Sequence, residues 1–497
     1  MPLILPGNVA TTTASTGYEV ANSLRFNSGD SADMVYTPSS TGSRRTFTWS
    51  VWVKRTTLGA SQQIFTKKEG SGSDNNGNGN ADYLALTYFN SDDTLTVARN
   101  QEGDYINVSV ANRKFRDIGA WYHILAAIDT TQGTGSNRVK CWVNGEAQTL
   151  TFTTTPTQNR DLDFNQSGEA HHLGSYGDGS SSYFSGYLAE CVLLDGTAVS
   201  NATDFGEFDS DSPQIWKPKD VSGLTFGTNG FYLDFEDSSA LGNDAAGSNN
   251  FGTVNNLAAI DQCTDTCTNN FAVPNILLEG VSMSYNENNL EIVISEAAQY
   301  GTQSSFGMTA GKWYCELKHT ANTSAGNDRV MVGIVGNPVH LSQQGAATST
   351  EGYVGASSEP TSYGYYGDTG KSYQNSNATN YGNTWTLNDI IGMYLDLDNN
   401  KLYFSKNGTV QNSGTGIDIT AVTSTVAGAY FFAFTDTSSY GGTVQVNFGG
   451  ATCYSISSAV SDANGYGSFE YSPSGTFDSA SKDFLALCTK NLGSDGG

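Results

Sequence analysis

The chain has 497 residues, and 24 Lys plus Arg against 49 Asp plus Glu leave a formal net charge of −25. That field repels nucleic acid and anionic membrane surfaces, and no run of 18 apolar residues is present to insert in a bilayer. Abundant Gly (56), Tyr (26) and Phe (24) with only 10 Pro suit short strands joined by tight turns, and helix signals shrink to a turn near Thr420–Val422. The acidic balance has two readings: plain solubility, or an affinity for cations such as calcium, which takes carboxylate and carbonyl oxygens.

In chain order, residues 1–16 (MPLILPGNVATTTAST) show no periodicity and no basic n-region. They predict a free arm or a strand docked on a partner, and not a secretory signal. From Ala21 onward, stretches such as TFTWSVWVKRT, YLALTYF, TLTVARN and YINVSVANRKF alternate with the period of two that marks strands. WYHILAAID and NRVKCWVNGEAQTLTF add a strand, a loop and a hairpin at Asn144-Gly145, a pair suited to two successive positive φ angles. HHLGSYG and YFSGYLAECVLLDG supply further strands.

The ordered series FTWSVWVKR, WYHILAAID, RVKCWVNG, HHLGSYG and FSGYLAECVLLDG resembles the laminin-G-like, concanavalin A-like lectin/glucanase superfamily over roughly residues 21–256. Text that often opens such domains, here YLDFEDSSALGNDAAGSNNFGTVNN, lies instead at the end, from Tyr232 to Asn256. Either it completes the same sheet as in a permuted sandwich, or it is a local similarity among Asp/Gly-rich turns. Periodicity weakens after Ala258, which marks a linker with a boundary near residue 265.

A second β series follows: LEIVISE, GKWYCELKHT, DRVMVGIVG, SYGYYGDTGKSYQ, NDIIGMYLDLDNNKLYFSKNG, GAYFFAFTD and GTVQVNFG. It resembles a SPRY domain over about 280–450, with GKWYCEL as the opening strand and the Asp-rich hairpin as the signature. GYGSFEYSPSG and FLALCTKNL read as a terminal extension that packs on this module and frays after Leu492. The expected organisation is therefore all-β: two antiparallel β-sandwiches (jelly-roll/concanavalin A-like and SPRY) in series. Its parts are an arm over 1–16, a laminin-G-like sandwich over 17–257, a linker over 258–279, a SPRY domain over 280–450 and an extension over 451–497.

Seven widely spaced cysteines without a CxxC pair point to thiols kept reduced, as in a protein made in a cytoplasm. Cys141 and Cys315 sit in strand-like runs and are expected to be buried; Cys263 and Cys267 suit either a pair or part of a metal site. Glucanases need paired acids on one strand. The nearest run, Glu207-Phe208-Asp209-Ser210-Asp211, ends in Asp and runs into Pro213, which predicts a turn, and the chain is read as non-enzymatic. His171 and His172 are strand neighbours facing opposite ways, one expected to pack and one to be exposed.

The laminin-G-like resemblance implies a rim calcium, with Asp244, Gly247 and Asn249 at the matching loop. Asp74–Asp82 forms a second acidic loop. The SPRY resemblance implies partners met by loops at one end of the sandwich. There the stretch from Tyr363 to Tyr381 is rich in Tyr, Asn, Ser and Gly, as antibody loops are. Its candidate ligand-binding residues are Tyr363, Tyr365, Tyr366, Asp368, Lys371, Tyr373, Asn375, Asn377 and Tyr381, the alternative being that Tyr365 and Tyr366 begin a core strand. Trp313 and Trp385 are expected in the core, and Asp396 and Asp398 on one strand face leading to Asn399-Asn400.

The whole architecture resembles structural proteins of tailed phages. It implies a virion adhesin made in the host cytoplasm, which recognises a host-surface glycan or envelope protein. The arm would hold it to other virion proteins, and the assembly would be a homo-oligomer, a trimer in fibres. The alternative is a capsid or tail decoration without a ligand, and a polysaccharide hydrolase stands third.

Overall fold

The computed structural model describes residues 17–68, 83–100, 105–177, 179–278, 283–294, 301–322, 329–339, 341, 352–436 and 441–495. The arm over 1–16 and the loop Asp74–Asp82 lie outside them. The chain divides into two compact units between Thr268 and Asn269.

The first unit is a sandwich of two eight-stranded antiparallel sheets. Thr46–Arg55 shows why alternation builds it: Trp49, Val51 and Val53 point into the core, while Ser50, Trp52 and Lys54 point to the other face. That second face is also buried, because later segments cover it, so Thr46–Arg55 is solvent-shielded almost throughout. Gly186–Asp195 pairs beside it, and the register slips between Ala189 and Val192. This bulge places Glu190 at φ 50, an uncommon conformation for a side-chain-bearing residue.

The text from Tyr232 to Asn256 does supply strands, one to each sheet. Phe231–Leu233 pairs with Gly186–Asp195, and Thr253–Asn255 pairs with Asp33–Tyr36 at the end of the other sheet. The hairpin at Asn144-Gly145 has φ 50 and 77 as its turn requires, and Trp216 fills the space where a Gly145 Cβ would stand.

The expected linker over 258–279 is absorbed by the two units. Gln262–Cys263 pairs with Ser23–Phe26, Arg25 bonds Asp261 at 2.8 Å, and the buried Lys54 meets the buried Asp265 at 2.6 Å. On the other side of the boundary, Ala272 N–H donates to Leu487 O and Asn275 N–H to Gln303 O. Up to Thr268 specific polar contacts hold the stretch, and beyond it Phe271 and Ala272 enter apolar clusters without a regular alternation.

The histidine expectation is corrected: both rings are buried. His171 packs on Phe65 and Phe164 in the core, and His172 faces away but is covered and bonds Asp33. All seven cysteines are free thiols, so Cys263 and Cys267 do not pair, while Cys141 and Cys315 are buried as strand residues.

The second unit pairs a nine-stranded sheet with a six-stranded one. In Lys312–Asn322, Trp313, Cys315 and Leu317 enter the core, and Tyr314 and Glu316 face outward. The outward face is covered by the C-terminal segment, whose Phe469, Phe477 and Phe484 form a second apolar layer with Tyr314, Tyr394 and Tyr403. Leu485–Ala486 runs parallel to Lys312–Asn322. The C-terminal stretch forms a helix over Thr489–Asp495, with Asn491 bonded to Asp462 and to Ala486 O. Near Thr420–Val422 the helical turn is a short 3-10 segment, Val422–Ser424.

Candidate functional site

The Tyr/Asn-rich stretch is not a free loop but a three-strand meander, Ser362–Tyr366, Lys371–Gln374 and Asn377–Asn380, at one edge of the six-stranded sheet. Pleating sorts its side chains. Tyr363 and Tyr365 point into the core and are fully buried. The Tyr363 hydroxyl accepts from Thr420 N–H at 2.8 Å, and the Tyr365 hydroxyl donates to Asn383 O. Tyr381 is also core, accepting from Phe404 N–H at 3.2 Å. Burial pushes the Tyr365 and Tyr381 hydroxyls well above the usual tyrosine range, so they stay neutral. Tyr366 faces outward but lies under the Val354 layer, 5.8 Å from Tyr373. These four tyrosines are therefore corrected from ligand contacts to structural residues, while Trp313 and Trp385 lie buried in the core as expected.

The remaining candidates lie along the edge. Asn375 and Ser376 form the hairpin turn with φ 50 and 59, which short polar side chains tolerate. The turn is clamped: Ser376 Oγ accepts from Tyr353 Oη at 3.1 Å and from Ser357 N–H at 2.9 Å. From Gln374 to Asn380 every residue is exposed, and none is charged. Tyr373, Asn375 and Asn377 gather at this hairpin end, while Asp368 and Lys371 sit at the opposite end, where Lys371 pairs with Asn380. The edge thus offers amide and hydroxyl donors and acceptors beside a half-buried tyrosine ring. It can hold a neutral, hydroxylated or amide-bearing ligand, and it holds no nucleophile–base pair.

The loop with Asp244, Gly247 and Asn249 does not fit a calcium ion. The Asp244 carboxylate accepts three backbone N–H groups, from Tyr232 and Asn249 at 2.9 Å and from Ala246 at 3.0 Å. Asn249 turns its amide N–H to Thr228 O and Gly230 O, at 3.0 and 2.7 Å, and its oxygen to the Tyr36 hydroxyl. The oxygens a hard cation would need are occupied by donors, so the motif closes a turn. Among the described residues no cluster of three or more His, Cys, Asp or Glu has metal-binding geometry.

Catalytic arrangements fare no better. Gly206–Phe208 forms a small hairpin with Trp216–Pro218, and Asp209 caps its turn through Asp211 and Ser212 N–H. Ser175, His172 and Asp33 are together, but Ser175 Oγ and His172 Nδ1 both converge on the same Asp33 oxygen at 2.8 Å and stand 3.5 Å apart, so hydroxyl and carboxylate face the same ring nitrogen, which is not the geometry of a relay. Burial raises the Asp33 carboxyl, and the bonds from His172, Asn255 and Ser175 outweigh it and hold the group below its usual range. His123 bonds Ser50 at 2.8 Å and takes the Trp216 indole N–H on Nδ1; burial alone drops it to about 3, so it stays neutral.

Glu190 and Glu316 are among the buried carboxyls that the sequence reading did not single out. Each is a single acid inside an apolar run, LAECVLL and WYCEL, which was the available signal. Tyr232 Oη lies 2.9 and 3.0 Å from the two Glu190 oxygens, with Tyr18 Oη 2.9 Å beyond it. Burial, only partly offset by these bonds, pushes Glu190 up to about 8.

Against known proteins, residues 28–202 match the concanavalin A-like lectin/glucanases superfamily and residues 312–451 match the SPRY domain. The chain thus carries a concanavalin A-like domain and a SPRY domain in series, folds of the lectin-like and binding kind. It is 28% identical over 136 residues to a Ran-binding proteins 9/10 homolog of Drosophila melanogaster, covering 26% of this chain and 13% of that one. It is 51% identical over 43 residues to the ATP-dependent RNA helicase DDX1 of Xenopus laevis, 9% of this chain and 6% of that one. The chain therefore spans a small fraction of these relatives. Among solved structures, the SPRY domain of human HERC1 is 16% identical, covering 35% of this chain and 96% of that one with a TM-score of 0.27. The heptameric SAP-like pentraxin of Limulus polyphemus is 17% identical, covering 37% and 80% with a TM-score of 0.27.

Proposed function

We propose that the chain is a non-enzymatic adhesin of a tailed-phage particle, whose SPRY edge recognises a host-surface glycan or envelope protein. The observation that carries the binding half is the run Gln374–Asn380, seven consecutive exposed and uncharged residues beside Tyr373 in a chain of net charge −25. Uncharged amides and hydroxyls exchange hydrogen bonds with sugar hydroxyls or peptide groups without the desolvation cost of a carboxylate. The particle-borne half rests on the architecture: a Thr/Ala-rich arm, two sandwiches and a closing tail. In this reading the arm docks on other virion proteins, and the protein assembles as a trimer on the particle surface.

Glycan arrays and whole-cell binding with the full chain test the reading. Wild type is expected to bind, and Asn377→Ala with Asn380→Ala to weaken binding roughly tenfold, the loss of one or two hydrogen bonds. Absence of binding in both assays overturns adhesion in favour of a decoration protein, and sugar release from host polysaccharide overturns the non-enzymatic assignment. Deleting residues 1–16 is expected to abolish particle attachment.

A further inference from the structure

A second feature of the concanavalin A-like unit has no part in that reading. Thr253–Asn255 ends its sheet, pairing on one side only, and all three residues are exposed. Along it lies an open cleft of ≈ 480 Å³, lined among others by Ser238, Asn243, Gly252, Val254, Leu257 and Ala258. A Cβ placed on Gly252 meets nothing within 4 Å, so the space beside the backbone is clear. Val254 (37%), which lines the cleft, is one of the six large hydrophobic side chains that stand exposed among the described residues. The opposite wall is held in place: Phe251 N–H donates to Gly242 O, and Gln262 ties down the Phe235 and Glu236 carbonyls.

We propose that this cleft receives an extended peptide segment of another protein, which adds to the Thr253–Asn255 edge as a further antiparallel or parallel strand. An unpaired strand edge supplies main-chain donors and acceptors, and the cleft supplies a partly apolar seat for alternate side chains. No charged side chain lines the cleft, whereas the exposed Glu236 and Asp237 flank it at Ser238. The segment that fits is therefore small and apolar at alternate positions and basic at its flank. A second copy of this chain, at net charge −25, would carry the wrong sign. A sugar is disfavoured because no exposed aromatic ring lines the cleft to stack on it.

The test is selection of a displayed random-peptide library on the full-length chain, followed by direct binding of the enriched peptides to wild type, Val254→Arg and Ala258→Trp. Both substitutions are at exposed positions, so folding is retained and is checked by circular dichroism. The expected outcome is enrichment of alternating apolar sequences with Lys or Arg at one end, each losing tenfold or more in affinity on both variants. N-methylation of alternate backbone amides in the winning peptide is expected to abolish binding in one register and spare it in the other, the signature of strand addition. Helical or acidic winners, no enrichment over the Val254→Arg bait, equal tolerance of both N-methylation registers, or binding displaced by neutral oligosaccharides would each overturn the proposal. These readouts do not involve the SPRY edge, so they stand or fall apart from the adhesin reading.

Discussion

Glu190 in the first unit and Glu316 in the second occupy matching situations: each is a buried acid on the outward side of a central strand. Their surroundings differ. Glu316 accepts from Glu470 and Tyr471 N–H at 3.0 and 2.7 Å, from the Tyr454 and Tyr314 hydroxyls at 2.9 and 3.0 Å, and from Asn447 at 3.4 Å. Burial raises its carboxyl above the ordinary range, and these donors offset part of that rise. Glu190 has tyrosine hydroxyls alone, on a bulge in a left-handed conformation. One carboxylate organises a covering segment, in that the chain over 454–471 is pinned through its backbone. The other is tolerated by staying protonated.

The sharpest way to break this contrast is Glu316→Ala. It strands two backbone N–H groups and two hydroxyls in a dry layer and should cost about 3–5 kcal/mol, unfastening the C-terminal cover. Urea unfolding of the full chain, with the second unit's transition followed, checks it; a shift under about 1 kcal/mol would show that the donors find other partners.

Glu190 should instead show itself through pH. Its folded pKa of about 8 lies above the ordinary 4.5, so folding favours the protonated form. Its contribution to stability is full below about pH 4.5, declines as pH rises, and is gone once pH passes about 8, on the order of 5 kcal/mol across that window. Glu190→Gln should flatten the slope and leave the first unit more stable than wild type at pH 9. A wild-type melting profile level from pH 5 to 9 would refute the assignment.

Smaller effects come from the turn once matched to calcium. Asp244→Ala should cost about 1–3 kcal/mol by orphaning three backbone N–H groups. Wild-type melting should be the same in excess calcium chloride and in EDTA; stabilisation by calcium would restore the cation reading. Smallest of all, Thr379→Ala on the open SPRY edge should change stability by under about 0.5 kcal/mol, as measured by urea unfolding, because its side chain is exposed.

The strands were legible because their signal is local. Alternation in TFTWSVWVKRT or GKWYCELKHT follows from pleating, and Asn144-Gly145 states its own turn. The candidate sites were legible only in part, for a definite reason. The stretch Tyr363–Tyr381 has the composition of a binding loop, yet pleating sends Tyr363 and Tyr365 inward and leaves the amides outside. Composition does not record which face a residue takes. The oxygen-rich Asp244 turn has the same ambiguity, since a carboxylate that caps backbone N–H groups and one that awaits a cation have identical local text.

By itself, then, the sequence determined the all-β class, the order of the two sandwiches and the turns between strands, because hydrophobic period and turn chemistry act over a few residues. Tertiary structure alone decided that Ala258–Thr268 covers a sheet and does not link domains. It alone decided that Glu190 is kept neutral while Glu316 is saturated with donors. It also decided that Thr253–Asn255 and Asn377–Asn380 stand at sheet ends with every residue exposed. Each of these depends on groups brought together across tens to hundreds of residues, where burial and hydrogen-bond partners exist only once the chain has closed on itself.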